Sequence, residues 1–306
     1  MKLIQKLVLV VLILSINQSF AQYNIDAKGK NRIYKPEAVQ EKVIAEDGSV
    51  EYIEVIKDVA VTADKYGNAE GNEYDLATDG AFEGNTVAVL HLYTGEGFDF
   101  ALPKAALEEK GFSVFRWIDH PPSAKELKKQ LEKASQLWVI SSNLRELNDK
   151  HAQVIKEFFE SGKGLYIWGD NAPYYNDANF LAQKIFGTTM NGNVMADKTV
   201  GISGEAANKA GIVNGHLIST GIANIYEGIT IATITPTQDM TPLIYGSDGN
   251  LVAAVYEKDG KRAILDGGFT RLFLKWDTAG TGRYVKNAGA WLVNYERFGK
   301  MVYAER

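Results

Sequence analysis

The chain has 306 residues, a formal charge of −5 and no cysteine. The missing cysteine excludes a disulfide framework, a thiolate metal site and a cysteine nucleophile, and the mildly acidic balance leaves no basic footprint for nucleic acid or anionic lipid. With 45% hydrophobic and 11% aromatic residues, the fold must rest on its core, and the chain is long enough for one sizeable domain with an appendage.

Residues 1–21 read as a cleavable export signal. Lys2 and Lys6 precede the apolar run Leu7 to Leu14, and Ser19-Phe20-Ala21 supplies a small-x-small cleavage site before Gln22. The apolar run is too short to cross a bilayer, which takes about 20 residues, so no transmembrane anchor is expected after cleavage. Cleavage removes two of the 33 basic residues and none of the 38 acidic ones, leaving a formal charge of −7. The expected location is the periplasm or the medium.

Residues 22–85 are polar and rich in Gly, Asp, Glu and Lys. Gln40 to Ala45 and Val50 to Ile56 flank Glu46-Asp47-Gly48-Ser49, a turn signal that predicts a β-hairpin. A loose tether is expected from Thr62 to Asn85, and a partly disordered leader fits the same composition. The main domain is expected over 86–306. Thr86 to His91, Phe112 to Ile118, Gln136 to Ile140 and Gly164 to Trp168 are apolar runs of strand length. Helical patterns fill the gaps, which predicts βαβ units and a parallel sheet.

Punctuation supports each helix. Pro103 and Gly111 bracket the first; Ser123-Ala124-Lys125-Glu126 forms a capping box for the second; Asn148 and Gly162 bound the third; and Asn176 and Gly187 bound the fourth. Beyond Gly187, Gly228 to Ile234, Pro242 to Gly246, Leu251 to Tyr256 and Arg262 to Leu265 predict an antiparallel meander on the far edge of the sheet. A last helix is expected from about Gly280 to Tyr295, capped by Thr278 or Thr281. The fold class is therefore α/β, a flavodoxin-like, doubly wound, mostly parallel sheet with an antiparallel edge meander, preceded by a small β-hairpin.

Open parallel sheets bind ligands outside the carboxyl ends of their strands. Those ends carry Tyr93-Thr94-Gly95-Glu96, Ser141-Ser142-Asn143, Gly169-Asp170-Asn171 and Asp266-Gly267-Gly268-Phe269-Thr270. The candidate ligand-binding residues are Thr94, Glu96, Asn143, Asp170, Asn171, Asp266 and Thr270, with Tyr174 and Tyr175 as aromatic platforms. Asx and Gly residues also serve as structural turns at such ends, and the two tyrosines equally suit core filling. Asp170 with Glu96 could form an acid/base pair, with Asp266 as a third member, or the three could hold a hard cation. Arg283, in the first turn of the last helix, opposes the helix dipole and needs a partner: Asp277, Asp170 or a ligand anion.

The order of strands and helices, the turn Ile167-Trp168-Gly169-Asp170-Asn171 into the helix at 176, and Gly215-His216-Leu217-Ile218-Ser219-Thr220-Gly221-Ile222 ahead of an edge strand resemble the class I glutamine amidotransferase-like superfamily. More narrowly they are similar to its non-amidotransferase branches, including trehalose-utilisation-like domains and those of gliding-motility and intraflagellar-transport proteins. The resemblance covers about residues 86–296. It implies a nucleophilic cysteine near Asp170 or Asn171 and a downstream His-x-Glu pair. This chain has neither, since His91, His120, His151 and His216 all lack that context. Glutaminase chemistry is thereby excluded. The expectation is an exported, non-catalytic module, without cofactor or metal, that binds a small polar ligand such as a glycan fragment, or an envelope protein. The alternative is a carboxylate- or metal-dependent hydrolase using Asp170 and Glu96.

Overall fold

The computed structural model describes residues 23, 24, 29, 31–205, 207–276 and 278–294. The export signal, Asp277 and Tyr295 lie outside them. The strands in chain order are β1 (Tyr34–Ile44), β2 (Val50–Ala60), β3 (Thr86–His91), β4 (Ser113–Ile118), β5 (Gln136–Ile140), β6 (Gly164–Trp168) and β7 (Met190–Met195), followed by β8 (Thr199–Val200), β9 (Gly211–Ile212), β10 (Ile225–Tyr226), β11 (Thr230–Ile234), β12 (Met240–Tyr245), β13 (Leu251–Lys258) and β14 (Lys261–Asp266). The helices are α1 (Ala101–Glu109), α2 (Ala124–Leu131), α3 (Asp149–Glu160), α4 (Asn176–Phe186) and α5 (Thr281–Leu292).

Eight strands form the central sheet in the order β4-β3-β5-β6-β14-β13-β12-β9. Strands β3 to β6 and β14 run parallel, and β13, β12 and β9 continue antiparallel. This is the α/β architecture with an antiparallel edge that the sequence predicts. Period-two alternation explains why the central strands read as unbroken apolar runs: Val87, Val89, Trp138, Ile140, Tyr166 and Trp168 face one layer, with Leu107, Tyr284 and Trp291 of α1 and α5. Ala88, Leu90, Leu137, Val139, Leu165 and Ile167 face the other, with Leu127, Ile155 and Leu181 of α2, α3 and α4. Both faces are covered, as a parallel sheet requires.

One strand lies elsewhere than expected. β11 pairs antiparallel with β7 in a separate two-stranded sheet instead of extending the meander, because the open edge of β12 is already taken by β9, with Ile244 opposite Ile212. Two caps also differ. Tyr175 holds the N-cap position of α4, and Asn176 sits inside the helix with its Nδ2 donating to the Asn143 carbonyl at 2.5 Å. The first free amides of α4, on Asp177 and Ala178, donate instead to Ser141 Oγ at 3.0 and 3.2 Å, so the end of β5 caps the helix from outside. Gly280, at φ 72°, holds the N-cap of α5, a left-handed conformation that disfavours the threonines expected there.

The hairpin is longer than predicted, pairing Tyr34 with Ala60 through to Ile44 with Val50. Residues 62–85 read as a tether by polarity, yet Leu76, Ala77 and Phe82 are buried in the core. Beside them Asp75 is fully buried against Lys110 (2.8 Å), Arg283 (2.6 Å) and Lys286 (2.8 Å). Burial pushes the Asp75 carboxyl up, but Lys286, Arg283 and Lys110 together outweigh it and hold the group below its usual range.

Candidate functional site

A cavity of about 270 Å³ opens at the carboxyl ends of β3, β6 and β14. Its lining combines Tyr93, Glu96, Asp170, Asn171, Tyr174 and Thr270 with the apolar side chains of Ile229, Phe269, Phe273 and Leu274. Asp170 follows β6 directly, and the loop beyond it folds back through Tyr174, whose N–H donates to the Asn171 carbonyl at 2.7 Å. Gly169 is required before Asp170, since a β-carbon there would lie 2.8 Å from Met190 Sδ and 3.0 Å from Tyr175 Cβ.

Asp170 is 5% exposed, and its Oδ1 has no hydrogen-bond partner among the described residues. Burial pushes its carboxyl well above the carboxylate range; the Asn171 backbone hydrogen bond and the Arg271 charge act against this, and Asp266 adds to it. Burial thus favours the neutral form of this carboxyl. Glu96 is exposed at the mouth, with its backbone left-handed at φ 53°. The Tyr93 hydroxyl is also raised, chiefly by burial and then by Glu96. Two groups have their bonding set within the protein: Asn171 Oδ1 accepts from Thr230 Oγ1 at 2.9 Å, and Thr270 Oγ1 accepts from the Ile229 N–H at 2.8 Å.

The structure thus brings Glu96, Asp170, Asn171, Tyr174 and Thr270 to one cavity and leaves five other candidates outside its lining. Asp266 is fully buried behind it: its Oδ1 accepts from Arg271 Nη2 at 2.7 Å and from the Gly268 N–H at 2.9 Å, while its Oδ2 accepts from Tyr166 and Tyr284 hydroxyls at 3.2 and 2.8 Å. A carboxylate so engaged cannot join Asp170 and Glu96 in holding a cation. Thr94 donates to Asp119 at 2.8 Å. Asn143 receives Asn176 on its carbonyl and Ser142 on its side chain. Tyr175 packs against the opposite core layer, being one residue out of phase with Tyr174. Arg283 spends its guanidinium on Asp75 and on the carbonyls of Ala69, Gly71 and Gly221 and not on Asp170, while Asp277 lies outside the described residues.

Sequence reasoning missed Tyr93, Phe269, Ile229, Thr230, Phe273 and Leu274. Tyr93 and Phe269 stand in the very strand-end loops singled out, where an aromatic beside Glu96 or Asp266 was a usable signal. Asp75, Asp79 and Glu109 form a separate carboxylate cluster, but Lys110 and Lys286 already sit within ion-pair distance of it.

The topology and the strand-end cavity define the class: an α/β protein with a mixed eight-stranded sheet. No protein-family model and no curated protein matches the sequence. Solved structures similar to part of the chain include exo-β-1,4-mannosidase Op5Man5 from Opitutaceae bacterium strain TAV5, at 12% identity and TM-score 0.39, covering 71% of this chain and 36% of that one. A ThuA-like protein from Parabacteroides merdae is similar at 8% identity and TM-score 0.44, covering 69% of this chain and 90% of that one. Agd3, a carbohydrate deacetylase, is similar at 12% identity and TM-score 0.42, covering 68% of this chain and 32% of that one. The chain spans about a third of the length of the mannosidase and of the deacetylase.

Proposed function

We propose that this protein is an exported, amidotransferase-like binding module that seats a small polar ligand in the strand-end cavity. One observation carries the reading: a buried carboxyl, Asp170, lines an aromatic-walled cavity with an oxygen that no group among the described residues satisfies. A buried polar atom without a partner costs roughly 1–3 kcal/mol, and a ligand that bonds it recovers that cost. The remaining polar groups of the cavity set orientation, and the rings supply contact area. Ser141, the serine at the end of β5, is committed to the α4 amides.

The test is a thermal-shift screen of the purified protein against monosaccharides, oligosaccharides, sugar alcohols and small amines, run beside Asp170→Asn. A ligand at about a hundred times its Kd stabilises by about 2.7 kcal/mol, and this shift should fall or vanish in the variant. A screen without a stabilising ligand, or one whose shift Asp170→Asn leaves intact, overturns the reading. Asp170, with its carboxyl raised by burial, and Glu96 in the same cavity also suit general acid chemistry. Turnover of glycosides or esters that Asp170→Asn abolishes would replace binding with hydrolysis.

A further inference from the structure

The walls and the charges of the cavity point to one kind of ligand group. Tyr93 meets Tyr174 at a ring-centroid distance of 5.6 Å and Phe269 at 5.2 Å, with interplanar angles of 89° and 73°. Phe273 adds a fourth ring to the lining. These rings line one cavity, and a ring face turned to it can hold a cation. Both ionisable side chains in that lining other than the tyrosines are acids, Glu96 and Asp170, and no lysine, arginine or histidine is among them. Arg271, whose charge reaches Asp170 from behind, is ion-paired with Asp266 at 2.7 Å. The cavity therefore offers acids and π-faces without a countercharge of its own.

We infer, resting on the binding reading above, that the group seated here is an ammonium, held against the rings of Tyr93, Tyr174 and Phe269, with Asp170 at the floor and Glu96 at the mouth. An anion would meet Glu96 and no cation in the lining, and a neutral polyol would leave the ring faces without their best partner. The ammonium on a compact frame is the shared chemistry of an amino sugar and of a small alkylammonium alcohol.

Isothermal titration at pH 7 tests this with matched probes: glucosamine against N-acetylglucosamine, and choline against its neutral carbon isostere 3,3-dimethylbutan-1-ol. We expect at least one ammonium to bind about tenfold or more tightly than its neutral partner. Asp170→Asn and Glu96→Gln should each weaken binding several-fold, the second at an exposed position where folding is not at stake. The pair that responds identifies the frame. Equal affinity for a neutral partner overturns the ammonium and leaves the cavity reading standing. Binding untouched by Glu96→Gln and by Tyr93→Leu also overturns it, as does a lack of binding by all four probes; the broader reading falls only with its own screen.

Discussion

Asp177 shows how a buried titratable group can be separated from the site it stands beside. Its Oδ1 accepts the Glu146 and Leu147 amides at 3.0 and 2.8 Å, and burial raises its carboxyl to about 6. The neutral form is favoured on folding, so Asp177 contributes stability that is present below its ordinary value of 3.8 and lost as pH rises to about 6. His91 and His216 act oppositely. Burial first, then Arg116 and Arg262 respectively, lower both imidazoles from 6.5 to about 4. Their contribution is present above pH 6.5 and lost as pH falls toward 4. Asp177→Asn keeps the acceptor and removes the titration, so its stability should rise with pH between 4 and 6 more steeply than the parent's, by at most about 1.4 kcal/mol per pH unit. Urea unfolding at pH 4.5, 5.5 and 6.5 would show it, and parallel curves would refute it. At this scale the sequence showed Asp170 and Glu96 because strand ends are readable as positions. It could not show that Asp266 faces inward, because that depends on Arg271, Tyr166 and Tyr284 converging on it from three different elements.

Elements were legible wherever one local signal sufficed. The Ser123 N-cap of α2, its Oγ accepting the Glu126 N–H at 3.2 Å while Glu126 Oε1 accepts from Gln130 at 2.7 Å, and the Asn148 cap of α3 are both present. The cap of α4 was hidden, because its acceptor lies 36 residues earlier, at the end of β5. Ser141→Ala strips two helix amides of their acceptor inside the protein and should cost about 1–2 kcal/mol in urea unfolding; a change within error would show that another group takes over. The β7–β11 ladder was hidden for a related reason. A short strand takes whichever edge is free, and the edge of β12 is closed by β9, a choice that the composition of Thr230–Ile234 does not carry.

Across the whole molecule, the two parts of the N-terminal segment should behave as opposites. Val61 N–H donates to the Ile33 carbonyl at 3.1 Å, so the hairpin leaves and rejoins the body at one point. Its side chains are almost all exposed, and a lone two-stranded hairpin adds little stability. Excising residues 34–60 and joining Ile33 to Val61 should leave the Tm of the body within a few degrees. Asp75→Ala should cost about 3–5 kcal/mol, because it strands Lys110 in the interior without its buried partner. If the excision melts the body, or Asp75→Ala leaves Tm unchanged, this division is wrong. Polarity concealed the contrast: residues 62–85 look soluble, and three apolar side chains with one acid decide their placement only through partners up to 211 residues away.

Those partners also impose an order of events. Leu76 N–H donates to Asn287 Oδ1 at 2.7 Å, while Asn287 Nδ2 donates to the Ile218 and Thr220 carbonyls, and Arg283 of the same helix holds Asp75. A chain synthesised from its amino end must therefore carry its first segment undocked until the last helix has formed and closed the ring. Contacts of such sequence separation form late and slowly.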